Sequence, residues 1–353
     1  MIIKILLFIF GLVLLVKGSG YFVKSAATLA KKFGVSEFVI GLTLVALGTS
    51  IPELASAIMA SLRHESGLVI GNIAGANIAN VGLITGVAAA IAVIKTKEEM
   101  LKRDGYIMIL AALLFFAFIF NGTIGRIEAA VFILLYFAYV MFLVERKPRF
   151  RGKYHFREFV GYFFRFRYIT TIRSHIMISA KKKGKNDITP TEKKEVLRLF
   201  KAGIAKDIIV MILGGAAVAF GARFFVSSAV FFAEALKVHA SIIGVSIVSI
   251  GTTLPELSVT ISAARKGFGN IALGNVIGSC ITNIFLILGV SAAISPLIAS
   301  SVAVYWIVPF MAFMSLLLLF FIKSHWEIRR FEGIVFLLVY IAFMVLLFTK
   351  FAA

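Results

Sequence analysis

The sequence is poor in charged residues, and acidic residues are the rarer kind. Only 15% of its 353 residues are charged, with 17 Asp and Glu against 37 Lys and Arg, whereas 60% are hydrophobic. Charged residues make up about a quarter of a typical soluble domain, so this composition excludes an ordinary soluble protein. The single cysteine, Cys280, excludes an internal disulfide bond. The five histidines show no metal-ligand spacing, and no H-E-x-x-H motif or nucleophile with a base indicates an enzyme.

Long apolar runs recur along the chain, and many approach the length of about 20 residues that a helix needs to cross the hydrocarbon core of a membrane. These runs predict an all-α polytopic membrane protein in which each run forms a transmembrane helix. The ten predicted spans are roughly 3–30, 37–62, 68–94, 105–121, 127–145, 207–235, 240–264, 270–298, 302–322 and 331–349.

The second half of the chain repeats the first. GLTLVALGTSIPELASAIMAS (41–61) aligns without gaps with GVSIVSIGTTLPELSVTISAA (244–264) at an offset of 203. GNIAGANIANVGLITG (71–86) aligns with GNVIGSCITNIFLILG (274–289) at the same offset. A constant register over this length indicates an internal duplication.

A third match, at an offset of 204, pairs RIEAAVFILLYFA (126–138) with RFEGIVFLLVYIA (330–342). Each half then holds five predicted spans, and because five is odd, the second half enters the membrane from the opposite side. This predicts two inverted five-helix repeats, an architecture of many secondary transporters, with a binding site at the repeat interface. We expect a first repeat at 1–145, a connector at 146–206 and a second repeat at 207–353.

The distribution of basic residues predicts the orientation of the chain in the membrane. Clustered positive charges fall on alternate loops, for example at Lys31 and Lys32 and at Lys102 and Arg103, and also in the connector. The positive-inside rule places these loops in the cytoplasm. We therefore expect a multi-pass protein of the plasma membrane, with both termini outside and the central loop cytoplasmic.

The connector is the most basic part of the chain, since residues 145–206 hold 18 Lys and Arg against 5 acidic residues. A nucleic-acid interface is one interpretation. Aromatic residues interleaved with arginines in FVGYFFRFRYITTIRSHIMI favour instead a segment that rests on anionic membrane lipids, and we expect no nucleic-acid partner. Near the end of the connector, Thr189, Pro190 and Glu192 form a helix-start pattern.

The stretch GTSIPEL (48–54) places a proline and a glutamate inside an apolar run, and GTTLPEL (251–257) repeats the arrangement. Pro52 has no N–H, so the carbonyl of Gly48 loses its helical partner and the helix is expected to break there. A free carbonyl in hydrocarbon costs several kcal/mol unless protein, water or an ion satisfies it. Hydroxyl side chains lie beside each break: Thr49 and Ser50 in the first copy, Thr252 and Thr253 in the second.

Glu53 and Glu256 occupy equivalent positions directly after the two breaks. A charged carboxylate at the centre of the bilayer costs at least about 3 kcal/mol on insertion scales, and no Lys or Arg lies at the matching depth. Two protonated and hydrogen-bonded glutamates are one explanation. The recurrence of this unfavourable residue at both related positions favours a role in binding protons or cations.

The following span of each half carries a polar stripe at helical spacing: Asn72, Ala76 and Asn80 in the first, and Asn275, Ser279 and Asn283 in the second. Interhelical hydrogen bonding and cation binding explain Asn72 and Asn275 equally well. Asn80 and Asn283 are expected to meet the broken helices at the site.

Carboxylate, hydroxyl and amide oxygens are hard ligands that suit Ca²⁺ or Na⁺ rather than zinc or copper. Two carboxylates balance one Ca²⁺, or two or more Na⁺, so the two ions would compete for the same glutamates. Competition at a single site whose access alternates between the two sides of the membrane is antiport.

The two copies of G-T-[ST]-x-P-E-L, each followed by G-N-x-x-G-[AS]-x-x-x-N, resemble the α-repeats of the cation/calcium exchanger superfamily, specifically of its sodium/calcium exchanger family in the prokaryotic form. These α-repeats lie at about 38–88 and 241–291, and the resemblance covers all ten predicted spans. The proton/calcium branch is less similar, because its repeats lack the G-T-S-x-P-E run. The resemblance implies Na⁺/Ca²⁺ antiport without a cofactor, and we expect the monomer to be functional.

The resemblance further implies four central cation positions in a diamond. Glu53 and Glu256, with the carbonyls of Thr49 and Thr252, would hold Ca²⁺. One Na⁺ position would use Ser50, Ser279, Glu256 and the carbonyl of Ser249. The other would use Thr253, Glu53, the carbonyl of Ala46 and a hydroxyl at position 76. Asn80 and Asn283 would line the middle position.

Two residues depart from the family pattern. Ala76 stands where the pattern usually has serine, so one Na⁺ position loses a ligand and the number of Na⁺ per Ca²⁺ is open. Asn283 stands where several relatives, including potassium-dependent ones, carry aspartate, which argues against K⁺ co-transport. Exchange of H⁺ instead of Na⁺ is the alternative with the same fold. A cation channel is the alternative from another class, although paired broken helices favour an occluded site.

Overall fold

The computed structural model describes residues 2–32, 46–96, 98–144, 159–160, 190–265 and 267–351. The helices of this part are, in chain order, α1 Ile2–Lys32, α2 Ala46–Thr49, α3 Ile51–Leu62, α4 Ser66–Ile91, α5 Tyr106–Ile119, α6 Arg126–Val144, α7 Pro190–Ala235, α8 Ala240–Thr252, α9 Leu254–Arg265, α10 Gly269–Ile294, α11 Ala303–His325 and α12 Arg330–Phe351. A short helix, Glu98–Met100, and a π-helical turn, Leu101–Gly105, lead into α5.

The chain is a predominantly helical, polytopic membrane protein. Within the described residues, seven helices are long and apolar enough to cross a membrane, and the bent pair α8 and α9, which meet at 47°, would make an eighth span. Two predicted spans are not among them. The predicted span 37–62 includes residues 37–45, which lie outside the described part, and α5, in the predicted span 105–121, is only 14 residues long.

Helix α7 begins at Pro190, where the helix-start pattern predicts it, and continues without a break to Ala235. The sequence predicted a helix start near the end of the connector and a span from residue 207, and the structure joins the two into one helix of 46 residues. Of the rest of the connector, the structure describes only residues 159 and 160. The Phe159 ring is buried and meets the ring of Phe142 edge-on at a centroid distance of 5.6 Å.

Helices α1 and α7 pack backbone against backbone through paired glycines. A Cβ atom at Gly18 would lie 2.9 Å from the Cβ of Ala217 and 3.0 Å from the carbonyl oxygen of Gly214. A Cβ at Gly11 would lie 2.9 Å from the carbonyl oxygen of Gly221. The two glycine pairs are equivalent under the repeat offset of 203, because adding 203 to Gly11 and Gly18 gives Gly214 and Gly221. Small residues at such crossings let membrane helices approach closely.

Among the described residues, the structure has four strands of two residues each, which an all-α prediction misses. They are β1 Ile94–Lys95, β2 Thr123–Ile124, β3 Leu297–Ile298 and β4 Glu327–Ile328. Strand β1 pairs antiparallel with β4, and β2 pairs antiparallel with β3. Each pair joins the first half of the chain to the second. The pairs are also equivalent to each other, since the repeat offsets of 203 and 204 carry β1 onto β3 and β2 onto β4.

The two helices that carry the polar stripes, α4 and α10, form the centre of the molecule. Of their most apolar stretches, 83% and 72% of residues are buried, compared with 22% to 44% for the other five single-helix spans. The remaining spans therefore surround α4 and α10 and present much of their surface to the membrane.

Candidate cation-binding site

Both broken helices are interrupted at the same point of the repeat. Ser50 separates α2 from α3, and Thr253, which is 203 residues later, separates α8 from α9. The backbone angles at the two breaks are nearly equal, with φ −88° and ψ 10° at Ser50 and φ −83° and ψ 6° at Thr253. Each break therefore starts a new helix, and Glu53 and Glu256 lie in the first turn of α3 and α9. The N-terminal end of a helix favours negative charge.

The structure brings the two glutamates close to each other, in a buried region that we call the ion pocket. Ser50 Oγ donates a hydrogen bond of 3.1 Å to Glu256 Oε1, so the break of the first half contacts the carboxylate of the second. Glu53 and Glu256 also repel each other electrostatically. Both side chains are only 1% exposed, and in the described part of the chain no Lys or Arg pairs with either of them. Within the described part of the chain, no basic side chain therefore neutralises these two buried carboxyl groups.

Several buried polar atoms of the predicted site residues have no hydrogen-bond partner among the described residues. These atoms are both carboxylate oxygens of Glu53, Oε2 of Glu256, both amide atoms of Asn80, Oδ1 of Asn283 and Oγ of Ser279. Buried polar groups are nearly always hydrogen-bonded, and each exception needs an explanation. Six of these seven atoms are oxygens, and hard cations such as Ca²⁺ and Na⁺ bind oxygen ligands.

The predicted hydroxyl ligands lie around the two breaks, and all of them are buried. Besides Ser50, the hydroxyls of Thr49 and Ser279 lie beside the carboxyl group of Glu256, although Ser279 Oγ makes no hydrogen bond of good geometry. Thr252 lies beside Glu53. Each carboxylate therefore has hydroxyl neighbours from the opposite half of the chain.

Two predicted ligands, the carbonyl of Ser249 and the hydroxyl of Thr253, are engaged with each other within the protein. The carbonyl oxygen of Ser249 accepts hydrogen bonds from Thr253 Oγ1 at 2.9 Å and from Thr252 Oγ1 at 3.3 Å. An ion that used this carbonyl, or the Thr253 hydroxyl, would replace these contacts. Ala46 begins α2 one turn before the break, while its side chain lies outside the described part. Ala76 is fully buried in α4.

Asn72 and Asn275 form interhelical hydrogen bonds. Asn72 Nδ2 donates to Ser56 Oγ at 3.2 Å, and its Oδ1 accepts from Thr252 Oγ1 at 3.4 Å. Asn275 Nδ2 donates to Thr260 Oγ1 at 3.1 Å. These bonds connect the central helices α4 and α10 to α3 and α9, the helices that carry the carboxylates.

Asn77 is a buried polar residue of the site region that the sequence reasoning missed. Its Oδ1 accepts a hydrogen bond of 2.9 Å from Asn283 Nδ2, and its own Nδ2 donates to the carbonyl oxygen of Cys280 at 3.3 Å. Asn77 was missed because it lies off the stripe of Asn72, Ala76 and Asn80 and aligns with Cys280 in the second half. The signal available in the sequence was its spacing of three residues from Asn80, which places the two asparagines on the same side of a helix.

Asn80 and Asn283 each begin a π-helical turn, Asn80–Ile84 in α4 and Asn283–Leu288 in α10. Such turns insert one extra residue into a helix and are frequent at functional sites. In α4 the carbonyl oxygen of Asn80 accepts a hydrogen bond of 2.9 Å from Thr85 Oγ1. The widened turns occur at the level of the unpartnered amide atoms in both halves of the molecule.

The chain resembles known proteins over almost its whole length. The profile of a family described as "Sodium/calcium exchanger protein" matches residues 3–145 and 206–349. Sodium/calcium exchanger MaX1 of Methanosarcina acetivorans is 53% identical, across 98% of this chain and 99% of the relative. Uncharacterized membrane protein MJ0091 of Methanocaldococcus jannaschii is 33% identical, across 95% and 94%.

A solved structure is also similar. It is that of the sodium-calcium exchanger NCX_Mj soaked with 10 mM Na⁺ and 10 mM Sr²⁺, with a TM-score of 0.59 and 31% sequence identity. The match covers 98% of each chain. The similarity therefore includes both halves of the present chain, with the broken helices and the central helices that carry the candidate ligands.

Proposed function

This chain belongs to the sodium/calcium exchanger protein family, and from that premise we propose that it is a secondary active antiporter that exchanges Na⁺ for Ca²⁺ across a membrane. The observation that carries the proposal is the pocket in which Glu53 and Glu256, one from each half of the chain, are buried together with unpartnered oxygen atoms. The transported ions are substrates of this pocket, and no cofactor is required.

The ions compete because they need the same two carboxylates. One Ca²⁺ is neutralised by Glu53 and Glu256 together, with Thr49 and Thr252 beside them. Bound Na⁺ would use one carboxylate each, with Ser50, Ser279 and the carbonyl of Ser249 on one side and Thr253 and the carbonyl of Ala46 on the other. Asn80 and Asn283 line the middle of the pocket. Since two bare carboxylates repel each other, the empty pocket is the least favourable state, which disfavours a crossing without ions.

The architecture that we propose has ten transmembrane helices arranged as two inverted repeats, 1–145 and 207–353. The equivalent strand pairs and the equivalent glycine pairs support it, because both relate the halves by a two-fold operation. The matching breaks at Ser50 and Thr253 also support it. With five spans per half, the two broken helices enter the pocket from opposite sides of the membrane, as alternating access requires.

The proposed location is the plasma membrane, with both termini outside and the basic connector in the cytoplasm. The charge asymmetry of the loops supports this orientation, and the connector would rest on anionic lipids. In this orientation, Na⁺ entering down its gradient drives Ca²⁺ out of the cell. The monomer contains all the ligands of the proposed pocket and is sufficient for function.

Uptake of radioactive calcium into proteoliposomes tests the proposal. Vesicles loaded with Na⁺ and diluted into Na⁺-free medium should accumulate calcium when the pH is clamped on both sides. Vesicles that have only a K⁺ gradient or only a H⁺ gradient should not. Uptake driven by the H⁺ gradient alone would replace this proposal with H⁺/Ca²⁺ antiport, and uptake that is independent of any counter-gradient would indicate a channel.

A further inference from the structure

Helices α3 and α10 pack side by side from the ion pocket to one face of the molecule, and we call their contact the α3–α10 seam. Helix α3 packs along residues 283–294 of α10. Glu53 and Asn283 lie at the pocket end of the seam. At its other end, where both helices have just ended, His64 Nδ1 and Ser295 Oγ are hydrogen-bonded at 3.0 Å. The two helices therefore run in the same direction, away from the pocket.

Two buried hydroxyl groups lie along the seam without a hydrogen-bond partner among the described residues. Ser61 follows Glu53 by eight residues, and Ser291 follows Asn283 by eight residues. Both hydroxyls therefore lie at the same level, about two turns from the pocket residues and about one turn inside the closing contact. Their residues are 1% and 0% exposed, and neither oxygen has a partner. Buried polar groups of this kind need an explanation.

The buried face of α3 has two edges, one towards each central helix. Ser56 lies on the first edge, where its hydroxyl accepts a hydrogen bond of 3.2 Å from Asn72 of α4. Ala57 and Ser61, also buried, form the other edge. Since α3 packs against both α4 and α10, this second edge is the one that meets α10.

The second half has the corresponding seam but lacks the two hydroxyls. Helix α9 packs along residues 80–91 of α4. The repeat offset of 203 carries the two seam serines onto Ala264 and Ala88, and both alanines are buried. Thr260, one turn nearer the pocket, is already engaged, because it accepts a hydrogen bond from Asn275. The unpartnered hydroxyls are therefore specific to the α3–α10 seam and do not follow from the duplication.

The contact that closes the seam is also absent from the second half. His64 has a φ of 60°, a left-handed conformation that is uncommon for residues other than glycine. Its repeat equivalent is Gly267, which has a φ of 75°. The first half thus replaces the glycine that suits this turn with an imidazole side chain. Ser295 is equivalent to Ala92, so both partners of the closing hydrogen bond are found in this seam only.

We propose that the α3–α10 seam is the route by which cations pass between the outer face and the ion pocket, with Ser61 and Ser291 as intermediate oxygen ligands and the contact of His64 with Ser295 as its closure. The inference rests on the proposed function and names the path to the same pocket. The outer face is the one that the proposed orientation assigns to the loops after α3 and α10.

The physical reason is the cost of moving a hydrated cation between two apolar helices. An ion that leaves water must gain oxygen ligands, which Na⁺ and Ca²⁺ prefer. The two serine hydroxyls supply such ligands, or hold water, halfway along the seam. In this structure the seam is closed, because Ala57 and the fully buried Ile287 lie between the serines and the pocket. Passage therefore requires α3 and α10 to separate, as alternating access demands.

Cysteine accessibility tests the route. The chain has a single cysteine, so Cys280→Ser gives a background without thiols, into which Ser61→Cys or Ser291→Cys is introduced. Each protein is reconstituted in phosphatidylcholine vesicles and treated from outside with a membrane-impermeant methanethiosulfonate that carries either a trimethylammonium or a sulfonate group. The rate of modification is followed by mass spectrometry. We expect both cysteines to react, and the cationic reagent to react about tenfold faster, because the route leads to two carboxylates.

Ser228→Cys in α7 is the matched control. Ser228 is 1% exposed, and its hydroxyl likewise has no partner among the described residues, but it lies on neither helix of the seam. We expect neither charged reagent to modify it.

Removing the closing contact should speed up the reaction. In His64→Gly the imidazole is lost without strain in the backbone, because Gly267 adopts the same conformation in the second half. Modification of Ser291→Cys should then be about fivefold faster, as for the loss of one hydrogen bond. Ser295→Ala removes the same hydrogen bond from the other side and should have the same effect.

Two outcomes would overturn the proposal. One is that the charged reagents modify neither Ser61→Cys nor Ser291→Cys in proteins that still take up calcium against Na⁺, which also shows that they are folded. The other is that Ser228→Cys reacts as fast as the seam cysteines, since accessibility would then not be specific to the seam. Rapid, cation-selective modification of the seam in a protein without Na⁺-driven calcium uptake would instead count against the proposed function alone.

Discussion

Ser50 and Glu256 are 206 residues apart, yet the Ser50 hydroxyl donates a hydrogen bond of 3.1 Å to Glu256 Oε1. Their contact connects the break of one helix to the carboxylate that follows the break of its counterpart. The neighbouring Thr49 also lies beside Glu256, and its repeat equivalent, Thr252, lies beside Glu53, whereas Thr253, the equivalent of Ser50, donates instead to the carbonyl of Ser249. The pocket is therefore shared, and neither half of the chain can form it alone.

Neutralising either carboxylate should stop exchange. In Glu53→Gln or Glu256→Gln, one buried charge that balances Ca²⁺ is gone, at a cost of about 3 kcal/mol or more, which corresponds to at least about a hundredfold in affinity. We expect Na⁺-dependent calcium uptake in proteoliposomes to fall to the level of empty vesicles. Glu128→Gln is a suitable control, since Glu128 caps the start of α6 by accepting from the backbone N–H of Gly125 at 3.0 Å. Retained exchange in either pocket variant would contradict the shared site.

Restoring the missing hydroxyl at position 76 should strengthen Na⁺ binding. Ala76→Ser adds one neutral oxygen to the proposed Na⁺ position, worth roughly 1 kcal/mol or about fivefold in affinity. We expect less Na⁺ to be needed to inhibit calcium uptake by half. Ala74→Ser, at another fully buried alanine of α4 but off the stripe, should leave this concentration unchanged. If the two substitutions lowered this Na⁺ concentration equally, the change would arise from packing in α4 and not from a new Na⁺ ligand.

The same variant also tests the stoichiometry. If Ala76→Ser adds one Na⁺ per cycle and changes the ratio from two to three, each cycle moves one net charge, worth about 2.3 kcal/mol per 100 mV. Calcium uptake by the variant should then respond to an imposed membrane potential. Uptake by the parent protein at a ratio of two should not respond.

Asn77 should position Asn283 for cation binding. Its Oδ1 holds the Nδ2 of Asn283, which leaves the Oδ1 of Asn283 without a partner. In Asn77→Leu the amide is free to turn its NH₂ group to the pocket, so we expect the half-saturating Ca²⁺ concentration to rise about tenfold, as for one lost charge-assisted hydrogen bond, with little change in the maximal rate.

A second substitution separates positioning from folding. Asn283→Asp places an acceptor-only side chain at the site, so the defect of Asn77→Leu should be smaller in the Asn283→Asp background. A pure folding defect would instead lower the amount of active protein and hence the maximal rate in both backgrounds.

The glycine contact of α1 with α7 should be essential for stability. In Gly18→Leu, the new side chain would overlap the region of Ala217 and Gly214, which lie 2.9 and 3.0 Å from its Cβ. Overpacking of this kind costs about 1 to 3 kcal/mol. We expect a lower thermal unfolding midpoint in detergent, whereas Gly20→Leu on the same helix should unfold like the parent. A midpoint for Gly18→Leu equal to that of Gly20→Leu would show that α1 and α7 do not depend on this contact.

The lowered pKa of Glu327, which lies outside the membrane-spanning helices, predicts that the stability of the folded protein depends on pH. A hydrogen bond from Arg329, at 2.8 Å, lowers the pKa of this partly exposed carboxyl below its usual value, and nearby Lys95 acts in the same direction. A lowered pKa stabilises the folded state above the ordinary pKa of a glutamate, and this contribution is lost as the pH falls through the lowered value. Thermal midpoints of the parent and Glu327→Gln should therefore differ slightly at neutral pH and converge in acid. A difference that is constant with pH would exclude this origin.

Much of the site was predictable because helix-breaking and charged residues cost free energy inside a membrane, so they are conspicuous in an apolar sequence. Pro52 and Glu53 stand out in an apolar run, and their repetition at Pro255 and Glu256 identifies both as parts of one arrangement. The structure joins the two halves at this point. The duplication likewise indicated which residues are equivalent, and the positions of the two helix breaks follow it.

Other features leave no pattern that a sequence can reveal. A π-helical turn at Asn80 or Asn283 depends on a single extra residue per turn, and strands of two residues are too short for an alternating pattern.

Helix α7 is a single rod of 46 residues, about 69 Å long at 1.5 Å per residue, and the hydrocarbon core it crosses is only about 30 Å thick. Its membrane-embedded end lies against α1 and α3, and its other end carries Lys193, Lys194, Arg198 and Lys201. A stiff rod turns a small tilt at one end into a large sweep at the other. A small tilt of α7 where it packs against α3, the helix that carries Glu53, is therefore matched by a displacement several times larger at the opposite end of the rod.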